Sequence, residues 1–160
     1  MDTVISIRST QKEEIYKEVI PQVESLLSGE PDIIANLANI SAALKMAFQN
    51  ISWVGFYLLK EGELVLGPFQ GKPACVRIKI GKGVCGTVAE HRKTIIVPDV
   101  NKFPGHIACD PDSKSEIVVP ICVKNNLQGV LDLDSSSLSS FDAVDQKCLE
   151  QIVQMLLPKF

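Results

Sequence analysis

The sequence predicts an α+β fold in which helices at both ends of the chain flank a β-sheet. Apolar residues recur at helical spacing near both termini. Between them lie six short runs that are β-branched or alternating, and Gly, Pro, Asn and charged residues separate these runs. Because the strands form one block and do not alternate with helices, the pattern favours α+β over a parallel α/β sheet.

Two helices are predicted within residues 1–50. Residues 11–28 carry apolar side chains at helical spacing, although Pro21 is expected to kink or split this helix. Pro31 suits the first turn of a second helix, whose apolar residues between 33 and 48 form a stripe. Both stripes are expected to pack on a core.

The sheet and the active-site loops are predicted within residues 51–135. The runs expected to form strands are residues 51–59, 63–69, 75–80, 94–100, 115–123 and 127–134. A short helix at residues 86–93 is expected to interrupt them. A last helix, within residues 137–157, can begin at Ser139 or Ser140 as its N-cap.

Length and charge exclude several classes of function. With no repeat and no low-complexity linker, residues 1–160 are expected to form a single domain with a hydrophobic core. The net charge of -3 provides no basic surface for nucleic acid or for an anionic membrane. No signal peptide or membrane-spanning run is recognisable, so a cytoplasmic protein is expected.

The five cysteines do not have the spacing of a metal site. They include no CxxC pair, and the two histidines, His91 and His106, stand singly, so no metal is expected. Cys122 and Cys148 lie among apolar neighbours and are expected to be structural, as small buried side chains.

The other three cysteines lie beside glycines and prolines and are candidates for redox chemistry. Cys85 falls near the N-terminus of the predicted short helix, where free amides and the helix dipole lower a thiol pKa. Cys75 follows Pro73, and Cys109 precedes Asp110, in loops that give a thiol the exposure it needs to react. Three such thiols in one chain favour chemistry over idle loop cysteines.

The segment GKGVCG matches the GxGxxG pattern of dinucleotide-binding loops through Gly81, Gly83 and Gly86, and Asp99 follows it. However, the segment comes after two predicted helices and three strands, and no βαβ pattern follows. A tight turn that leads into a short helix explains the glycines equally well.

Carboxyl groups form a second candidate site. Asp132 and Asp134 lie two residues apart on a predicted strand, so their side chains share a face. Burial and mutual repulsion would raise at least one pKa, which suits proton donation or cation binding, whereas a solvated edge strand is the alternative. A turn at residues 125–126 would put Glu116 on the opposite face. A bulge at Pro120 or a longer turn would bring the three acids together.

Two aromatic residues are a further candidate. Trp53 and Tyr57 lie four apart on the first predicted strand and share a face. Two interpretations are equally open: the pair forms an aromatic wall of a ligand site, or it belongs to ordinary core packing.

Trp53 and Tyr57 occur with six distinctive segments, which are GPFQGKPAC, GKGVCGT, VPDV, FPGHIACD, SEIVVP and GVLDLDS. From about Ser52 to the C-terminal helix, this pattern resembles the free methionine-(R)-sulfoxide reductases, a family built on a GAF domain. The resemblance implies a GAF/PAS-like fold, with a six-stranded antiparallel sheet flanked by N- and C-terminal helices. Proteins of this family often form homodimers.

The resemblance also implies roles for the cysteines. Cys109 is similar to the nucleophile that attacks the sulfur of free L-methionine-(R)-sulfoxide and becomes a sulfenic acid. Cys75 or Cys85 would then form a disulfide with it. No bound cofactor is implied, and thioredoxin, reduced in turn at the expense of NADPH, would restore the thiols.

The remaining candidates are similar to the substrate-binding residues of the family. Glu116, Asp132 and Asp134 resemble the carboxylates that hold the substrate ammonium and help to protonate the sulfoxide oxygen. By the same resemblance, Trp53 and Tyr57 would line the side of the pocket that receives the methyl group.

Two alternatives remain open. GAF domains also serve as non-catalytic small-ligand sensors, although NKFPG matches the NKFDE motif of the cyclic-nucleotide sensors only in part. The chain could also be a thiol redox switch that signals through disulfides among Cys75, Cys85 and Cys109 without turnover. A sensor binds its ligand whatever the state of its cysteines, whereas a reductase needs Cys109.

Overall fold

The six predicted strands form one antiparallel sheet in the computed structural model, which describes residues 5–160. The strands are β1 (Ile51–Lys60), β2 (Glu63–Gln70), β3 (Arg77–Lys79), β4 (Ile95–Val97), β5 (Ser115–Val123) and β6 (Asn126–Ser135). Their order is β3-β2-β1-β6-β5-β4, and every neighbouring pair is antiparallel. The predicted α+β class is therefore confirmed. The parallel sheet that a dinucleotide-binding loop requires is not found among the described residues.

Four helices cover the two faces of this sheet unequally. They are α1 (Lys12–Leu27), α2 (Ile33–Ala47), α3 (Gly83–His91) and α4 (Ala143–Leu156). Helices α2 and α4 pack on one face of the sheet, and α1 lies against these two helices. Helix α3 packs on the other face. Within residues 5–160, none of the helices combines the length and the apolar character that crossing a bilayer requires.

Strand alternation decides which side chains face α3. In β1, Val54 and Phe56 enter the larger core beneath α2 and α4, while Trp53 and Tyr57 belong to the smaller cluster around α3. The apolar cluster on the α3 side is smaller than the core on the other side, and α3 has only nine residues, so loops and polar side chains complete this face. The functional candidates of the sequence lie on this side.

Pro21 does not split the first helix. α1 continues through it as one helix of 16 residues. Val19 and Val23, on either side of the proline, are completely buried in the larger core. Their burial holds both halves of the helix in place and outweighs the loss of one backbone hydrogen bond.

Two helices begin later than predicted, because aspartates cap them. Asp32 caps α2, so Pro31 precedes this helix and does not lie in its first turn. Asp142 caps α4 by accepting hydrogen bonds from two amides of the first turn, and neither Ser139 nor Ser140 does so. A carboxylate at the N-cap also interacts favourably with the helix dipole.

The glycines of the GKGVCG segment shape the turn that starts α3. The amide of Gly81 donates to the carbonyl of Gly86 at 2.8 Å, and a Cβ atom on Gly86 would lie 2.4 Å from the carbonyl oxygen of Lys79. Gly83 has a φ of +61°, which favours glycine. These contacts start the helix at Gly83, ahead of the predicted residues 86–93, and they account for the motif without a nucleotide.

Removing the Asp145 carboxyl group is expected to cost about 3 kcal/mol of unfolding free energy. This side chain accepts hydrogen bonds from the buried Tyr16 hydroxyl at 2.8 Å, from Lys12 Nζ at 2.5 Å and from the Asp142 amide at 2.8 Å. Asp145→Ala would leave the Tyr16 hydroxyl and the Asp142 amide without this acceptor, while Lys12 would keep only Asp142 and the carbonyl of Ser140. Denaturant unfolding should show the loss, whereas Lys17→Ala, in an exposed ion pair, should remain close to wild type. A loss for Asp145→Ala below about 1 kcal/mol would contradict the importance of this network.

Candidate active site

A small cavity of about 50 Å³ opens between α3, the loop at residues 71–76 and the loop at residues 98–114. Seven of the eight site residues predicted from the sequence line it, and they are Trp53, Tyr57, Cys85, Cys109, Glu116, Asp132 and Asp134. The eighth, Cys75, is not among the lining residues and is bonded to Cys109. The structure therefore brings together residues from six separate segments of the chain.

The three candidate acids share the face of the sheet that is turned to α3. Glu116 pairs with Asp134 across β5 and β6, and Val118 pairs with Asp132. Since side chains opposite one another in an antiparallel pair lie on the same face, all three carboxyl groups point toward the cavity. The opposite-face placement of Glu116 that follows from a turn at residues 125–126 is wrong.

Two local features produce this register. The turn lies one residue earlier than predicted, at Lys124 and Asn125, whose φ angles of 48° and 67° are typical of a tight hairpin turn. The ladder then shifts by one residue between Ile121 and Cys122, next to the predicted bulge position at Pro120. The combined shift moves Glu116 to the acidic face, as the bulge alternative anticipated.

Glu116 and Asp132 form a buried carboxyl pair. Each is only 6% exposed. Burial, and then the repulsion of neighbouring acids, raises the pKa of both groups well above the usual range. The pair can therefore hold a proton at neutral pH.

Asp134 is the third and less perturbed acid. Burial raises its pKa to about 6, although the hydroxyl of Ser113 donates a hydrogen bond to Oδ1 at 2.9 Å, which opposes the shift. Its environment thus differs from that of Asp132, two residues earlier on the same strand. At neutral pH, Asp134 is therefore mostly ionised, whereas Glu116 and Asp132 resist ionisation.

Cys75 and Cys109 form a disulfide between the two loops. Their Cα atoms lie 5.7 Å apart although the residues are separated by 34 positions in the sequence. Lys72 ties the same loops together, because its Nζ lies 2.8 Å from a carboxylate oxygen of Asp112 and 3.3 Å from one of Asp110. The contact between the loops makes a disulfide between Cys75 and Cys109 geometrically available.

Cys85 does not have the lowered pKa that its position predicted. It is buried under the loops, and its Sγ lies 3.3 Å from Oδ2 of Asp132 and 4.0 Å from Oε1 of Glu116. Burial, and then the two carboxyls, raises the pKa of this thiol well above its usual range. The helix N-terminus is near, but desolvation and two acids outweigh it.

The aromatic wall is held by stacking and by hydrogen bonds to the cysteine loop. The rings of Trp53 and Tyr57 lie 6.0 Å apart, and Trp53 also stacks on Phe69 at 5.4 Å. Trp53 Nε1 donates to the Lys72 carbonyl at 3.1 Å, and the Tyr57 hydroxyl donates to the Cys75 carbonyl at 2.9 Å. Both aromatics therefore position the loop that carries Cys75.

One glycine makes this stack possible. A Cβ atom on Gly55 would lie 2.3 Å from Cβ of Phe69 and 2.7 Å from the Trp53 ring. Any larger residue there would displace the indole. A glycine inside an otherwise apolar strand signals such a close approach.

Three further residues of the site were not singled out from the sequence as part of it. Lys72 and Ser113 lie in proline-containing loops, and the sequence did not show that Lys72 pairs with Asp110 and Asp112 or that Ser113 donates to Asp134. His106 was considered only as a metal ligand, yet its Nε2 lies 3.9 Å from Oε2 of Glu116 and burial lowers its pKa. The one feature of the sequence that could have identified these three residues is that each lies within four positions of Cys75 or Cys109.

The two cysteines expected to be structural lie outside the cavity. Both Cys122 and Cys148 are half-buried, so they are less enclosed than predicted. Cys148 packs against the larger core, and burial raises the pKa of each thiol.

Comparisons with known proteins agree in family and fold. The family model of the GAF domain matches residues 23–155 of the chain. The chain is 58% identical over 153 residues to GAF domain-containing protein A of Dictyostelium discoideum, with 95% of this chain and 96% of that protein covered. It is 48% identical over 145 residues to the free methionine-R-sulfoxide reductase of Escherichia coli, with 91% and 88% covered.

A solved structure extends the similarity to three dimensions. The X-ray structure of free methionine-R-sulfoxide reductase from Neisseria meningitidis, in complex with its substrate, superposes with a TM-score of 0.96 at 45% identity. The superposition covers 99% of this chain and 95% of that one. The fold predicted from the resemblance is therefore confirmed.

Proposed function

The chain belongs to the GAF domain family together with enzymes named free methionine-R-sulfoxide reductase, and on this basis we propose that it reduces free L-methionine-(R)-sulfoxide to methionine. The observation that carries the proposal is the Cys75–Cys109 disulfide at the edge of a cavity lined by three acids. A dithiol pair beside an anionic pocket suits a small oxidant that bears an ammonium group.

The cavity wall matches the chemistry of this substrate. Free methionine sulfoxide has an ammonium group, a carboxylate, a polar sulfoxide and a methyl group. Glu116, Asp132 and Asp134 would hold the ammonium, which gives the buried acids the positive partner that they otherwise lack. Trp53 and Tyr57 would face the methyl group. Because the acids are buried below the two loops, a methionine sulfoxide held within a protein chain is not expected to reach them.

In the first step, the Cys109 thiolate attacks the sulfoxide sulfur. The oxygen is transferred to the Cys109 sulfur, which becomes a sulfenic acid and is oxidised by two electrons, while methionine leaves reduced by two electrons. The sulfoxide oxygen needs a proton as its bond to sulfur breaks. The raised pKa of Glu116 and Asp132 keeps such a proton in the site at neutral pH.

In the second step, Cys75 resolves the sulfenic acid. Its thiolate attacks the Cys109 sulfur, the S–S bond forms, and the oxygen leaves as water. We assign this role to Cys75 because it is within bonding distance of Cys109, whereas the thiol of Cys85 is buried against Asp132. A thioredoxin-type dithiol would then supply two electrons and two protons and regenerate both thiols.

A coupled assay tests the proposed activity. Thioredoxin, its reductase and NADPH would be supplied with the free R epimer, the free S epimer or an R-sulfoxide inside a peptide. NADPH consumption is expected with the free R epimer alone. A flat trace with every substrate, from protein with a native circular dichroism spectrum, would reject the reductase and favour a ligand sensor or a redox switch.

Cys75→Ser is expected to stop the reaction after its first step. One equivalent of methionine per protein should form, and Cys109 should gain one oxygen atom, which mass spectrometry after trapping with a sulfenic-acid reagent would detect. Steady turnover with thioredoxin should fall by roughly tenfold or more, because the disulfide that thioredoxin reduces cannot form. Cys122→Ser is the matched control and should turn over normally. Unchanged steady turnover of Cys75→Ser would assign resolution to another thiol.

A further inference from the structure

Cys85, Glu116 and Asp132 form a compact cluster of three metal-ligand types at the base of the cavity. Sγ of the cysteine and one oxygen of each carboxyl all lie within 4.8 Å of one another. The three residues come from α3, β5 and β6. The sequence predicted no metal because no metal ligands lie close together in the sequence. That argument does not cover a site whose ligands come from separate helices and strands.

A second, independent observation concerns one oxygen of Asp132. Oδ1 of Asp132 is buried and has no hydrogen-bond partner. Asp132 lines the cavity and is only 6% exposed. Within the described part of the chain, no lysine or arginine forms an ion pair with Asp132 or Glu116, although Lys72 and Lys82 also line the cavity. The imidazole Nε2 of His106 lies 3.9 Å from Oε2 of Glu116. An unpartnered buried carboxyl oxygen is costly and rare, so a partner that enters through the cavity is expected.

We propose that Cys85, Glu116 and Asp132 bind a thiophilic divalent cation, with Zn²⁺ as the best match. A tetrahedral zinc with ordinary bond lengths separates a sulfur and an oxygen ligand by about 3.6 Å. The sulfur lies 3.3 Å from Asp132 Oδ2 and 4.0 Å from Glu116 Oε1, so the two separations bracket this value. Three protein ligands leave the fourth position to water, for which the cavity of about 50 Å³ has room.

The donor set discriminates among cations. Mg²⁺ and Ca²⁺ require six or more oxygen ligands and do not favour a thiolate. Zn²⁺ and Co²⁺ accept one sulfur and two carboxylate oxygens in a four-coordinate site. The site therefore selects thiophilic metals over the abundant hard cations.

Occupancy has a consequence that rests on the proposed function. The ion would take the carboxylates that are assigned to the substrate ammonium, so it would compete with methionine sulfoxide. Zinc should then raise KM for the sulfoxide without lowering kcat, and a chelator should reverse the effect. Full activity at zinc concentrations that saturate the site would overturn the proposed location of the ion.

Cobalt spectroscopy tests the site without any turnover. The protein is used with the Cys75–Cys109 disulfide closed, so these two sulfurs cannot act as ligands. Co²⁺ is expected to produce a thiolate-to-metal charge-transfer absorption that Zn²⁺ abolishes and Mg²⁺ does not. The absence of this absorption in the oxidised wild type would overturn the proposal. A protein that binds cobalt but reduces no sulfoxide would reject the proposed function and retain the metal site.

Variants locate the ion. The absorption should vanish in Cys85→Ser and persist in Cys122→Ser and Cys148→Ser, which remove the other two free thiols. Asp132→Asn should weaken cobalt binding by at least about tenfold while keeping the thiolate absorption. If the absorption persists in Cys85→Ser, the site lies elsewhere. Should Cys85→Ser fail to fold, unchanged cobalt affinity in Asp132→Asn would overturn the proposal equally well.

Discussion

Cys109→Ser is expected to lose at least about 10³-fold of the sulfoxide reductase turnover. The reaction needs a thiolate that attacks sulfur and then accepts the oxygen. A serine hydroxyl is protonated at neutral pH and would have to form a peroxide to take the oxygen, which is far less stable than a sulfenic acid. The measurement is methionine formation from the free R epimer, with thioredoxin present in excess.

The control for this substitution is another free thiol. Cys122→Ser removes a half-buried cysteine outside the cavity, so its turnover should match wild type within about twofold. Circular dichroism should show that both variants are folded. Wild-type turnover in Cys109→Ser would move the nucleophile to another residue, and Cys85 would then be the first to examine.

Asp132→Asn is expected to lower kcat/KM by about 10²-fold or more and at the same time to raise the melting temperature. The activity falls because the substrate ammonium loses a buried counter-charge and the sulfoxide oxygen loses part of its proton supply. The melting temperature rises because the folded protein no longer has to bury an ionisable carboxyl group at this position. Burial, and then repulsion by Asp134, raises the pKa of Asp132. An acid whose pKa is raised by folding destabilises the fold at any pH above its unfolded pKa, and a neutral asparagine removes that penalty at pH 7.

An acid on the same sheet but outside the cavity provides the control. Glu63 lies on β2 and forms an ion pair with Arg77 near the surface, so Glu63→Gln should leave kcat/KM unchanged within about twofold. A loss of activity together with a lower melting temperature in Asp132→Asn would indicate a damaged fold and would contradict a role in substrate binding.

The sequence predicted the elements well because their signals are local. Each of the six strands is a short β-branched or alternating run bounded by turn residues, and α1, α2 and α4 carry apolar side chains at the helical spacing of the face that each buries. The terminal positions were less accurate. Asp32 caps α2 and Asp142 caps α4, whereas the sequence suggested Pro31 in the first turn of one helix and Ser139 or Ser140 as the cap of the other. Several residue types can cap a helix, and a carboxylate binds the free amides strongly, so the sequence alone did not identify the cap.

The site was predicted less completely because it depends on contacts between distant segments. The face on which Glu116 lies was undecided, since a one-residue bulge in the ladder reverses it and no local pattern announces the bulge. The pKa of Cys85 was predicted in the wrong direction, because the helix N-terminus is visible in the sequence but the burial beside Asp132 is not. The pairing of Cys75 with Cys109 was open for the same reason.

A single-turnover experiment tests the proposed mechanism most directly. Fully reduced protein would be mixed with one equivalent of free L-methionine-(R)-sulfoxide in the absence of thioredoxin, and methionine, free thiols and disulfide-linked peptides would be measured. The mechanism predicts one equivalent of methionine, the loss of two thiols per protein and a disulfide that joins Cys75 to Cys109. No methionine, or a disulfide that includes Cys85, would contradict it.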